Sequence, residues 1–96
     1  MPKVLHLTLY RRWFLEILKG TKTTEYREIT PYWKKRLFDA EGKPVRYDEI
    51  FFRNGYAKDC PKMRVKFLGF SKEKGKYAIK LGKILETANV KGLAID

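Results

Sequence analysis

Ninety-six residues suffice for one compact domain and leave no room for a second, and 44% hydrophobic with 15% aromatic residues is ample for a folded core. Lys and Arg number 22 against 11 Asp and Glu, a net charge of +11, so nucleic acid or another polyanion is the favoured class of partner. The single cysteine, Cys60, excludes an intramolecular disulfide, and the single histidine, His6, leaves no His/Cys set for a metal, so no cofactor is expected.

No apolar run reaches the ~20 residues of a membrane span, and Met-Pro-Lys leads directly into alternating residues without a signal-peptide core. A cytoplasmic protein with no membrane partner is the expectation. Leu5, Leu7 and Leu9 then alternate with His6, Thr8 and Tyr10, which predicts a half-buried strand with the leucines inward and His6 on the outer face. From Arg11 the spacing of Trp13, Phe14, Ile17 and Leu18 predicts a helix buried along that side, with Arg12, Glu16 and Lys19 in water. Gly20 suits the left-handed residue that closes such a helix.

Residues 23–29 have strand propensity, and their alternation places Thr23, Glu25 and Arg27 on one face and Thr24, Tyr26 and Glu28 on the other. Thr30-Pro31 reads as an N-cap and first turn, opening a short helix through Lys35 or Leu37 in which Trp33 and Leu37 pack inward. Residues 39–47 read as a loop around Gly42-Lys43-Pro44, and 48–53 as a short buried strand meeting the turn dipeptide Asn54-Gly55. After an irregular stretch, residues 63–71 read as a strand with Val65 and Phe67 on one face and Leu68 and Phe70 shifted to the other, which suggests a bulge or barrel curvature near Gly69. A charged turn, 72–76, joins it to a strand over 77–85, while 86–96 is weakly patterned, with Leu93 and Ile95 as candidates for a further short strand or a frayed end.

The sum is an α+β domain. Five or six short strands in so small a chain shed their edges by curling, which predicts a small mixed β-barrel with two helices.

Gly20-x-Lys22-x-x-Glu25-x-Arg27 resembles the Gly-x-Lys-x-x-Glu-x-Arg signature of the ASCH domain family. Its place after the Trp13-Phe14-x-x-Ile17-Leu18 helix and ahead of Arg53-Asn54-Gly55-Tyr56 extends the resemblance over most of residues 3–86 of a single domain, 1–96. The resemblance implies a PUA-like barrel and an RNA-binding module, with a motif-lined cleft for RNA or a modified nucleoside. Some small members are amidohydrolases that deacetylate N4-acetylcytidine through a motif Lys, a Thr and a separate Glu, and others are ribonucleases. Here Lys22 matches the lysine, but Glu25 holds the place of the threonine.

The residues themselves allow more than one part. Lys22 is suited to a phosphate oxygen or, desolvated, to general-base chemistry; as a loop lysine it would simply face the carboxyl end of the preceding helix. Arg27 offers a planar fork to a phosphate or base edge, and Glu25 could accept from an exocyclic amine, act beside Lys22, or orient Lys22 and Arg27. As an exposed pair, Glu25 and Arg27 would contribute only ~0–1 kcal/mol. Tyr32 and Tyr56 stand beside a helix start and a turn as stacking candidates, with Tyr26 and Trp33 behind them, Trp33 being explained equally as core. Arg53 and Asn54 would frame the far wall, Asn54 doubling as a turn residue. Lys34, Lys35, Arg36, Lys72, Lys74 and Lys76 read as solvated faces, or as sequence-independent attraction if they border the cleft. RNA binding is the leading expectation, a nucleoside hydrolase or ribonuclease using Lys22 and Glu25 the second, and an adaptor docking another protein on its basic face the third.

Overall fold

Strands and helices alternate over residues 4–37, and among the described residues the later regular elements are strands joined by loops and turns. The computed structural model describes residues 1–93. Its elements are β1 (Val4–Thr8), α1 (Arg11–Lys19), β2 (Thr24–Glu28), α2 (Pro31–Leu37), β3 (Glu49–Arg53), β4 (Lys62–Glu73) and β5 (Lys76–Ala88). The five strands form one mixed sheet in the order β1-β3-β4-β5-β2, parallel between β1 and β3 and antiparallel elsewhere. The sheet curls into a half-barrel, the α+β architecture with two helices that the pattern predicts.

The curl has a local cause. The β4–β5 ladder slips register between Arg64 and Val65, between Val65 and Phe67, and between Phe67 and Phe70, and Gly69 takes a φ of 113° that few other residues tolerate. These slips also change which way side chains point. Phe70, expected opposite Phe67, instead packs against the core, edge-on to Phe38 and Tyr77 with ring centroids 5.3 and 6.0 Å apart, while Leu68 stays in water. Lys74 (φ 56°) and Gly75 (φ 73°) both occupy the left-handed region, as a two-residue turn must if it is to follow the twist of β4 and β5.

Leu5, Leu7, Ile50, Phe52, Met63, Val65, Phe67, Tyr77, Ile79 and Leu81 supply the sheet's share of one core cluster, to which α1 adds Phe14 and Ile17 and α2 adds Leu37. Burial of each such side chain contributes on the order of 1.5–3 kcal/mol. Thr30 caps α2 by accepting the Trp33 N–H at its hydroxyl (3.3 Å). At the other end of α2 the Tyr47 hydroxyl donates to the Arg36 carbonyl (2.6 Å), and burial pushes that phenol's pKa up, the nearby Arg36 guanidinium opposing in smaller measure.

Two further expectations shift. Glu86–Ala88 belong to β5, which outruns its apolar pattern because Met63 and Lys62 continue the ladder to Thr87 and Ala88. Leu93 packs against the core from a turn, its N–H bonded to the Val90 carbonyl, and forms no strand; Ile95 lies outside the described residues.

Candidate functional site

The end of α1 sets up the site. Gly20 adopts φ 85°, and the N–H groups of Thr21 and Lys22 together with the Thr21 hydroxyl all bond the Glu16 carbonyl at 3.0–3.1 Å. That wrap turns the chain back on the helix, so Lys22 Nζ rests 4.9 Å from the Trp13 ring centroid and 5.8 Å from that of Tyr26.

Pairing with β5 then decides the direction of β2. Glu25 stands opposite Ile79 and Arg27 opposite Tyr77, both core residues, so the two charged side chains point to the inner face of the sheet. Among the described residues Glu25 is the one buried charged side chain, 5% exposed. A buried carboxylate must be paired, and this one is paired twice. Lys22 Nζ lies 3.4 Å from Oε1, while Arg27 Nε donates to Oε2 at 2.9 Å and Arg27 Nη2 lies 2.7 Å from the same oxygen. The group carries two positive charges and one negative, and it is not the exposed ion pair that spacing alone allows.

Arg27 has a second duty. β1 and β2 are the two edges of the sheet and share no ladder. Arg27 Nη2 donates across the gap to the Thr8 carbonyl (3.2 Å), joining the edges with one side-chain bond. These bonds leave the two N–H groups on Nη1 unused. The guanidinium lies 5.2 Å from the Trp33 ring centroid.

Over this seam opens a cleft of about 840 Å³. Glu25 and Arg27 of the motif line it, together with Tyr32, Asn54 and Tyr56. Lys22, expected on this lining, is not part of it: it touches the cleft residues Glu25, Trp13 and Tyr26 but borders a separate small pocket beside Gly20 and Thr23. Asn54 braces the far wall by donating from Nδ2 to the Leu9 carbonyl (3.0 Å). Arg53, expected beside it, does not line the cleft: its Nη2 donates to the Ala57 carbonyl (3.5 Å), which turns the guanidinium into the following loop.

No family model, curated protein or solved structure matches this chain. The site therefore stands on its own geometry.

Three contributors escape the sequence reading: Tyr10, Arg11 and Trp13, all lining the cleft. Trp13 has the spacing of a core residue yet is 36% exposed, with the Arg12 guanidinium 4.6 Å from its ring centroid and Lys22 near by. Its cationic neighbours, which follow from the charges at 12 and 22, were the available signal. Tyr10, at 83% exposed, and Tyr56, at 85%, present large aromatic surfaces to water at the mouth. Trp33 is half-buried against the core and also lines the cleft. His6 lies on the outer face against Phe51, away from the cleft. Among the described residues no group of three His, Cys, Asp or Glu is placed to hold a metal ion.

Proposed function

We propose that this protein is an ASCH-like RNA-binding module that takes an unpaired nucleotide of single-stranded RNA into the cleft over the β1–β2 seam. The observation that carries the reading is the juxtaposition of Arg27, held rigidly by Glu25 and Thr8 with its Nη1 donors left over, and the aromatic rings of Tyr10, Trp13, Tyr32, Trp33 and Tyr56 around it. A preorganised guanidinium serves a phosphate or a base edge, and stacking on aromatic faces contributes ~1–3 kcal/mol per base. The net charge of +11 supplies the attraction that brings a polyanion to the mouth.

Recognition is favoured over hydrolysis by the state of the motif. Lys22 is engaged by Glu25 and two aromatic faces, which are partners for a cation, and the threonine of the amidohydrolase pattern is replaced by that same Glu25. Incubation with N4-acetylcytidine and with RNA, beside a Lys22→Ala control, is expected to yield no Lys22-dependent product.

Fluorescence anisotropy with a single-stranded RNA decamer tests the proposal. Log affinity is expected to fall linearly with log salt at about −0.7 per phosphate neutralised, and Arg27→Ala is expected to weaken binding far more than Lys66→Ala on the outer face. Tyr56→Ala should cost roughly 5- to 150-fold, the equivalent of one stacked base. A flat salt response, or equal effects of Arg27→Ala and Lys66→Ala, refutes a specific cleft.

A further inference from the structure

The helix that walls the cleft has a second concavity behind it. Tyr32 and Trp33 of α2 face the seam cleft, whereas Lys34, Lys35 and Arg36 border a groove of about 1190 Å³ that Lys72 of β4 and Lys3 close from the other sides. Its floor is apolar, built from Phe38, Tyr47 and Tyr77. Its charge is one-sided. Asp39 is the one acid on its wall, and Asp39 Oδ1 already accepts the N–H groups of Glu41 and Lys43 at 2.9 Å. Lys3, Lys34, Lys35 and Lys72 enter none of the salt bridges among the described residues, although acidic partners neutralise Lys22, Lys76 and Lys80 elsewhere.

One contact links the two concavities. Arg36 Nη1 donates to the Tyr32 carbonyl (3.0 Å) and its guanidinium carbon lies 3.4 Å from the Tyr32 ring centroid. Arg36 lines the groove and Tyr32 lines the cleft, so their stack forms a continuous polar and aromatic crest across α2.

We infer that the groove is the second half of the RNA site: a strand with one nucleotide in the seam cleft crosses α2 at the Arg36–Tyr32 crest and lays its flanking phosphates against Lys34, Lys35 and Lys72. This rests on the proposed reading of the cleft and extends it to a site longer than one nucleotide. Phosphodiester is the chemistry that fits, because the walls offer several unpaired ammonium groups at separate positions, and point charges on flexible stems neutralise phosphates without demanding a base. α2 spans only about 10 Å, so a strand need not be long to reach both sides.

The test compares ligand lengths on the full chain. The four ribonucleoside 5′-monophosphates are titrated by NMR and single-stranded RNAs of three, six and ten nucleotides by anisotropy, against wild type, Arg27→Ala and the triple variant Lys34→Ala/Lys35→Ala/Lys72→Ala. The three lysines are exposed, and circular dichroism with thermal melting confirms that the triple variant and Arg27→Ala both fold at the assay temperature, Arg27→Lys, which keeps a charge beside Glu25, replacing Arg27→Ala if it does not. Expected is an affinity that rises with length in wild type. The triple variant should bind the decamer on the order of 100-fold more weakly at 0.1 M salt, reduce the magnitude of the salt slope by about 2, and bind the mononucleotides within twofold of wild type. Retention of wild-type decamer affinity and salt slope by the triple variant, with the Arg27→Ala defect intact, overturns the groove alone. Absence of mononucleotide binding together with a neutral Arg27→Ala overturns the cleft reading and the groove with it. A poly-glutamate of matched charge that displaces the decamer as well as unlabelled RNA does would assign the groove to an acidic polypeptide instead and also overturn the inference.

Discussion

Replacing Glu25 by Gln keeps the shape of the side chain and removes its charge, leaving Lys22 and Arg27 facing a neutral amide in a place where their side chains are only 15% and 22% exposed. At an effective dielectric of ~20, the gross attractions at 3.4 and 2.7 Å are about 5 and 6 kcal/mol, most of which desolvation offsets. What remains on breaking a buried pair from one side is a loss of roughly 3–5 kcal/mol, because the stranded cations keep their desolvation penalty without their partner. For a domain of this size each kcal/mol corresponds to ~4–8 °C in Tm, so Glu25→Gln is expected to lower Tm by at least about 12 °C. Glu28→Gln is the matched control: its partner Lys76 lies 3.0 Å away, but both side chains are largely in water, and the expected loss is ~0–1 kcal/mol. Thermal and urea unfolding followed by circular dichroism measure both. If Glu25→Gln unfolds within about 1 kcal/mol of Glu28→Gln, water reaches the cluster freely and the claim that Arg27 is held rigidly fails.

Two further outcomes test the fold around the site. A Cβ placed on Gly82 would lie 3.0 Å from Lys66 Cβ and 3.2 Å from Leu68 Cδ2, so Gly82→Ala requires these side chains on β4 to give by a few tenths of an ångström; because Lys66 Cβ is fixed to the strand, a loss of about 1 kcal/mol in urea unfolding is expected, and an unchanged midpoint would show that the bulged ladder yields without strain. Burial raises the pKa of Tyr47, so above pH ~10 the unfolded chain releases this proton first and the native state binds more protons than the unfolded one; stability falls as pH rises through that window. Tyr47→Phe is expected to lose the Arg36 hydrogen bond at neutral pH and to flatten the decline above pH ~10, and an alkaline decline identical to wild type would assign it to other groups.

Local signals read well where one residue type has one physical use. Gly20 could only close the helix, Thr30-Pro31 could only open the next, and a period of two put Glu25 and Arg27 on one face before any partner strand was known. What alternation could not supply was the side on which that face lies, since burial of Glu25 follows from pairing with Ile79, more than fifty residues away. Phe70 was misread for a related reason: three slips in the β4–β5 ladder reset the phase of the strand, and a bulge leaves no more trace in sequence than one glycine. Trp13 was taken for core because helical spacing records which side a residue is on, and a tryptophan suits a cleft wall as well as an interior. Arg53 failed because the loop that captures its guanidinium at Ala57 has no regular pattern to place it.

The pairing of β2 with β5 also carries a consequence for how the molecule comes into being. The motif, residues 20–27, precedes in sequence the strand that aims it inward, Lys76–Ala88. β5 in turn is held by β4 alone on its other side. A growing chain released as far as residue 75 has α1, Gly20 and every charge of the cluster, yet no template to turn Glu25 away from water. Lys22, Glu25 and Arg27 are neighbours in sequence, but the chain between β2 and β5, which carries α2, β3 and β4, has to close before Glu25 is turned inward, so the burial of the cluster depends on a long-range contact.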